Sequence, residues 1–362
     1  MTRTYTDLVP TFPDRTDWTL AHVLESRSKQ TPDEVFLIAP EEGLRVTYGE
    51  IRREAQSIAA GIYERGALSG DRVLIMAANS SAFVRTWLGT AISGLVQVPI
   101  NTAYEGEFLR HQVHVTNPKF AVIDDHLAHR FVQLRTEFPS IEHFWVIDKG
   151  QAKESIQQLQ EAGWSASPWQ NLLDVTPESF PIPAAQDLAS IFFTSGTTGP
   201  SKGVAMPHAQ MYFFADEVVS LTRLTHKDTY MTVTPLFHGN AQFMAAYPAL
   251  VAGAKLVIRS KFSASRWVDQ IREEGVTVTN LIGVMMDFIW KQEPRATDSD
   301  NPLRCVFAAP TASSILAEFK DRFDIEAFVE VFGLTETSAP ILSPYGEDRP
   351  PGNRHSEDDF AA

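Results

Sequence analysis

The chain has 362 residues, 44% of them hydrophobic and 21% charged, enough ordinary globular sequence for about two average domains or one large multi-layer one. A formal net charge of −14 without any dense Lys/Arg run argues against a nucleic-acid partner, and the single cysteine, Cys305, excludes an internal disulfide and fits a reducing, cytoplasmic setting. Residues 1–11 lack the apolar stretch of a signal peptide; the longest charge-free run, between Asp228 and Lys255, holds His238 and two prolines, so no membrane span is expected.

In chain order, Ile51, Ala55, Ile58, Ala59 and Ile62 recur at helical spacing. They predict a helix running through Tyr63, with Thr47 as N-cap and Glu50 as its capping-box partner. Residues 72–76 read as a buried strand, 81–93 as a helix, 94–100 as a strand, 105–115 as a helix and 120–124 as a strand. Strands separated by helices of this length predict βαβ units and a parallel sheet. Residues 148–187 are polar, with scattered prolines, Trp164 and Trp169, and read as a surface connection with a short helix. The alternation then resumes, with strands over 188–194, 229–234, 255–258, 276–281 and 304–308. Helices fit 209–222, 263–274, 284–292 and 313–323. Residues 344–362, rich in Pro, Gly and charge, are expected to form a flexible tail. The expected division is a first α/β part over 1–187, a second over 188–343 carrying the functional site, and the tail.

The sharpest chemical signal is the run Thr194, Ser195, Gly196, Thr197, Thr198, Gly199, Pro200, Ser201, Lys202, Gly203, which follows an apolar strand. Its glycines let the backbone turn tightly and aim N–H groups inward, four hydroxyls add donors, and Lys202 adds a mobile charge. Together these make a receptor for a polyphosphate. The spacing is not that of a Walker A loop, and composition alone also fits an exposed Gly/Ser/Thr linker.

The run resembles the phosphate-loop signature of the adenylate-forming superfamily (acyl-CoA synthetases, luciferases and the adenylation domains of peptide synthetases). It departs from the family pattern at Pro200-Ser201 and keeps the lysine in register. Thr47-Tyr48-Gly49-Glu50, Ser69-Gly70-Asp71-Arg72-Val73, Ala78-Asn79-Ser80 and Val98-Pro99-Ile100-Asn101 follow the family's order, so the likeness runs from about residue 20 to about 343. It implies an α/β, αβαβα-type large N-terminal domain of two stacked, mainly parallel sheets with helices. It also implies ATP, Mg²⁺ and coenzyme A as co-substrates and cofactors, and a small-molecule carboxylic acid as substrate. An oligomer stays open.

Further motifs carry the resemblance onto single residues. Phe332-Gly333-Leu334-Thr335-Glu336 is similar to the family's Y-G-x-T-E motif. There the aromatic residue packs near adenine, the threonine contacts the α-phosphate, and the glutamate, here Glu336, holds Mg²⁺. Ala308-Ala309-Pro310-Thr311 resembles a turn that lines the adenine site, with Ala308 in place of the usual glycine. Thr234-Pro235-Leu236-Phe237-His238-Gly239 matches an acyl-CoA synthetase motif whose histidine sits beside the acyl carboxylate. Amino-acid adenylating relatives carry an aspartate in this region to pair with the substrate ammonium, so Phe237-His238 points to an uncharged acyl or aryl acid. Leu281 to Met286 reads as acyl-tunnel lining or as plain core.

The resemblance assigns catalytic roles to Lys202, His238, Thr335 and Glu336. In the family a ribose-binding aspartate, a hinge and a small C-terminal lid domain with a catalytic lysine come later in the chain, with no room for them here. This predicts a truncated acid–thiol ligase of impaired activity. A nucleotide-binding pseudoenzyme or regulatory partner is the alternative, and a non-functional folding remnant the third reading.

Overall fold

The helix after Thr47 spans Tyr48–Tyr63 and opens on the expected capping box. Thr47 Oγ1 accepts from Glu50 N at 3.2 Å, and the Glu50 carboxylate accepts from Thr47 N at 2.8 Å. Replacing Thr47 with alanine is expected to cost about 1 kcal/mol, read as a lower urea midpoint at unchanged slope.

The structure is a computed structural model that describes residues 9–177, 179–194, 200–312, 314–343 and 345–346, without side-chain surroundings for 339–342. Its strands, numbered in chain order, are β1 (Val35–Ala39), β2 (Leu44–Thr47), β3 (Arg72–Met76), β4 (Val96–Pro99), β5 (Phe120–Asp124), β6 (His143–Ile147), β7 (Ser165–Pro168) and β8 (Leu188–Thr194). They continue as β9 (Lys202–Pro207), β10 (Thr229–Thr232), β11 (Lys255–Ile258), β12 (Val278–Leu281), β13 (Cys305–Ala308), β14 (Ala327–Leu334) and β15 (Ser338–Leu342).

One sheet has the order β7-β6-β5-β3-β4-β8-β9 and the other β15-β14-β13-β12-β10-β11-β1-β2. Pairing is parallel throughout except at three terminal pairs, β8 with β9, β1 with β2, and β14 with β15. Sheet membership does not follow chain order. β1 and β2 join the second sheet by pairing β1 with β11, while β8 and β9 complete the first.

Side chains alternate between the faces of each strand, and this alternation builds the layers. Val73 and Ile75 of β3 face the same central core as Leu256 of β11 and Phe307 of β13. Leu74 and Met76 face an outer core roofed by the helices Gly106–Thr116 and Ala152–Glu161. Val306 and Ala308 face a third core under the helices Trp267–Glu274, Gly283–Trp290 and Leu316–Phe323. The helices Tyr48–Tyr63, Ser81–Ile92 and His208–Thr222 fill the space between the sheets, which gives the expected αβαβα stack.

Two expectations change. Residues 148–187 are more than a surface connection: they hold the helix Ala152–Glu161 and also the edge strand β7, and both Trp164 and Trp169 are buried. β7 has almost no apolar signal. It pairs with β6, and its Ser165 and Ser167 hydroxyls meet the two ring nitrogens of buried His143 at 2.7 and 2.9 Å. Tyr345, assigned to the flexible tail, is buried with the Arg223 guanidinium 4.6 Å from its ring. The rest of that tail, 344 and 347–362, lies outside the described residues. Among the described residues no helix is long and apolar enough to cross a membrane.

Candidate functional site

β14, β13, β12 and β10 are consecutive parallel neighbours, so the loops leaving their carboxyl ends line one edge of the second sheet. That is the position where open α/β sheets bind ligands. Four segments singled out in the sequence emerge there: Thr234–Gly239 after β10, Ile282–Met286 after β12, Ala309–Thr311 after β13, and Phe332–Glu336 at the end of β14.

The loop after β10 rests on a buried polar network. Thr234 Oγ1 lies 3.0 Å from Thr232 Oγ1 and accepts from Asn280 Nδ2 at 2.9 Å. Asn280 Nδ2 also donates to Asn240 Oδ1 at 2.5 Å. These bonds fix both ends of the loop, while the His238 side chain has no hydrogen-bond partner among the described residues. His238 keeps an exposed edge and packs against Phe237 at 4.6 Å between centroids. The protein crowding the rest of the ring pushes its pKa below the ordinary imidazole value, so the ring is neutral at pH 7 and offers one N–H donor.

Gly239 lets the chain turn against an aromatic wall. A Cβ on Gly239 would sit 2.4 Å from a ring carbon of Phe243, which is itself locked by Phe192 and Phe214. Gly239→Ala is therefore expected to lose about 1–3 kcal/mol by overpacking, read as a lower melting temperature.

At the end of β13, Ala308 is fully buried in the third core, so Ala309, exposed Pro310 and Thr311 are the members of that turn that reach the surface. The Ala309–Pro310 peptide is cis. Gly283, at the start of the helix Gly283–Trp290 that follows β12, faces this turn, with Pro310 O 3.5 Å from where its Cβ would stand. That helix leaves Val284 and Phe288, one turn apart, half-exposed.

β14 overruns β13 and folds back as a hairpin with β15, and Thr335, Glu336 and Thr337 form its turn. Phe332 is 64% exposed, an aromatic face open to a planar ring. Gly333 is exposed and Thr335 half-buried. Glu336 is exposed, and its carboxylate has no partner among the described residues. No cluster of three or more metal-ligating side chains occurs among the described residues. Glu336 suits an ion shared with phosphate oxygens, as Mg²⁺ commonly is.

Of the run expected to bind phosphate, Thr194 ends β8 and Lys202 opens β9, and the two pair with each other. Ser195, Gly196, Thr197, Thr198 and Gly199 lie outside the described residues. Lys202 is exposed, with no anionic partner among the described residues. The preceding residue is held from the helix Gly106–Thr116: His111 Nε2 meets Ser201 O at 2.7 Å and Gln112 Nε2 donates to Ser201 Oγ at 3.3 Å.

The helix His208–Thr222 starts directly after β9 and reaches the β14–β15 turn. Gln210 Nε2 donates to Glu336 O at 3.0 Å, and Ser338 Oγ donates to the Glu217 carboxylate at 2.5 Å. One helix thus joins the element that carries Lys202 to the turn that carries Thr335 and Glu336. The four segments of the second sheet come together on neighbouring strands, and the hairpin of the first sheet is tied to them through this helix. Sequence reasoning missed Gln210, Glu217, Asn240 and Asn280. Each acts through partners far away in the chain, and no local spacing marks them.

The sequence profile of the family described as AMP-binding enzyme matches residues 24–357. The crotonobetaine/carnitine–CoA ligase of Salmonella typhimurium strain LT2 is 29% identical over 311 residues, 85% of this chain and 58% of that protein. The chain thus spans little more than half the length of that relative. Among solved structures, the anthranilate CoA ligase AuaEII in complex with anthranoyl-AMP is similar with a TM-score of 0.80 at 18% identity, over 92% of this chain and 63% of that one. The inhibitor-bound N-terminal domain of FACL13 from Mycobacterium tuberculosis is similar with a TM-score of 0.76 at 21% identity, over 88% of this chain and 76% of that one. At these identities the likeness shows a shared fold.

Proposed function

We propose, from a chain that belongs to the AMP-binding enzyme family, that this protein binds ATP and activates a carboxylic acid as its acyl-adenylate, the first half of an acid–thiol ligase reaction with coenzyme A as the acceptor. The observation that carries this reading is the gathering of the Thr234–Gly239, Ile282–Met286, Ala309–Thr311 and Phe332–Glu336 segments at the carboxyl ends of four successive strands, with the Lys202 hairpin tied to them through the helix His208–Thr222.

In this reading the substrate carboxylate attacks the α-phosphorus of ATP, and pyrophosphate leaves. The chain's own groups work by position and charge. Lys202 and the hydroxyls of the phosphate-binding run neutralise the departing pyrophosphate. Thr335 donates its hydroxyl to the α-phosphate. Phe332, Ala309 and Pro310 flank the adenine. His238, neutral at pH 7, donates one hydrogen bond that orients the acid without a full charge. Mg²⁺ on Glu336, when bound, offsets the charge developing on the phosphate oxygens. Phe237-His238 and the apolar Val284 and Phe288 at the same sheet edge favour an uncharged acyl or aryl acid.

The test pairs two measurements. Mg-ATP must raise the melting temperature, because a ligand of the native state alone stabilises it. Acid-dependent exchange of labelled pyrophosphate into ATP must then appear with some member of a panel of acyl and aryl acids. Nucleotide binding without exchange would instead describe a nucleotide-binding pseudoenzyme, and no melting shift at all would sink the reading.

A further inference from the structure

The turn after β3 belongs to the first sheet, yet Asn79 within it reaches the second. Its Nδ2 donates to Thr234 O at 2.9 Å and to Arg259 O at 3.1 Å, and its Oδ1 accepts from Leu236 N at 2.7 Å. Two carbonyls and one N–H as partners leave a single orientation for the amide. The turn is held from behind by Asp124, whose carboxylate accepts from Ala78 N at 2.8 Å.

A second tie meets the same loop residue. Gln97 of β4 donates to Gln242 Oε1 at 2.6 Å, and Gln242 Nε2 donates to Leu236 O at 2.7 Å. Leu236 is thus gripped at its N–H by Asn79 and at its C=O by Gln242, two residues before His238. Gln242 also opens a π-helical turn, Gln242–Ala246, a local widening that often accompanies functional sites.

A layer of apolar side chains already docks the two sheets. The amide bonds add direction to that docking, since a hydrogen bond loses strength steeply when misaligned. Two of the three Asn79 bonds end on the backbone of the segment that presents His238. The His238 side chain has no polar partner of its own among the described residues, so its position follows the backbone that carries it.

We propose that Asn79 is a positioning residue for the acid-binding half of the site, holding the Thr234–Gly239 loop so that His238 meets the acyl carboxylate. The proposal rests on the acid-activating reading above. It predicts a split: acyl recognition depends on Asn79, whereas nucleotide recognition, carried by the hairpin of the first sheet and the turn after β14, does not.

The experiment titrates the chain by calorimetry with AMP and with hexanoyl- and benzoyl-sulfamoyl-adenosine, stable mimics of an acyl-adenylate. The unaltered protein is expected to bind at least one mimic more tightly than AMP. Asn79→Ala is expected to weaken that mimic by about tenfold or more, the scale of one or two lost hydrogen bonds, and to leave AMP unchanged. Asn79→Asp keeps the acceptor for Leu236 N but turns a carboxylate oxygen toward the carbonyls of Thr234 and Arg259, so it should weaken the mimic at least as much as alanine; Asn79→Ser, small and polar, decides the matter if the alanine variant does not fold. Equal weakening of mimic and AMP would reduce Asn79 to a general structural role, and no weakening of either would overturn the proposal outright. Should the unaltered protein favour no mimic over AMP, the acid-activating reading fails first and the role of Asn79 falls with it.

Discussion

Replacing Lys202 with alanine is expected to slow acid-dependent pyrophosphate exchange by about 10²–10³-fold, the usual loss when one preorganised charge donor is removed from a reacting oxyanion. Lys202 stands opposite Thr194 at the hairpin mouth, exposed and with no anionic partner among the described residues. No internal ion pair is broken by the change, so the melting temperature of the free protein should stay the same. The stabilisation given by Mg-ATP should shrink along with the rate. Lys202→Arg keeps the charge but spreads it over a planar fork, and it is expected to recover only part of the rate. The measurement is exchange at saturating ATP alongside thermal melts with and without nucleotide. A rate within threefold of the parent would remove Lys202 from the mechanism.

The largest expected loss of stability is at the opposite end of the same strands. Asp228, just before β10, accepts from Thr225 N at 2.8 Å, Thr277 Oγ1 at 2.7 Å, and Arg304 Nε and Nη2 at 2.9 Å each. It welds the starts of β10, β12 and β13. Burial pushes the carboxyl up, but the hydrogen bonds from Arg304 and Thr277 and the arginine charge outweigh it and hold the pKa below the ordinary value. Asp228→Ala leaves the Arg304 guanidinium without its counter-charge and is expected to cost about 3 kcal/mol, the low end for a broken buried pair because Arg304 keeps its bonds to the Thr222 and Arg223 carbonyls and some access to water. A depressed carboxylate pKa stabilises the fold above the unfolded value, near 4, and that contribution fades as pH falls through the folded one. The gap between parent and variant in urea denaturation should therefore hold from pH 7 to about 5 and narrow toward pH 3. A constant gap down to pH 3 would mean that the carboxylate charge plays no part.

How much of this was legible in the sequence depended on where each signal resides. The helix after Thr47 announces itself, because capping and periodicity are both local. β3, β5 and β13 are short apolar runs between turns and read directly. β9 and β7 do not. Lys202–Pro207 carries a glycine and a proline, and Ser165–Pro168 has no large apolar residue, so each becomes a strand through its partner, β8 or β6. The amino-terminal strands β1 and β2 stand outside the alternation that the sequence predicts, as the place of β1 beside β11 is set by residues more than two hundred positions away and β2 follows β1. At the candidate site the loop residues were found by motif, since their chemistry sits in consecutive letters. Asn79 was noticed only as part of a pattern. Its work depends on carbonyls at Thr234 and Arg259, brought near by the stacking of two sheets.

The pairing of β1 with β11 has a consequence for the order in which the chain can be built. Leu37 must wait for Leu256 to leave the ribosome. At bacterial or eukaryotic synthesis speeds that delay is roughly 10–45 s, far longer than the microseconds a hairpin needs to form. During it β1 and β2 exist as a ribbon without its neighbour, while β3 to β9 can already assemble. The nascent polypeptide thus carries an apolar segment in search of a mate. Chaperone capture of ribosome-bound chains should concentrate on lengths between the completion of β9 and the emergence of β11.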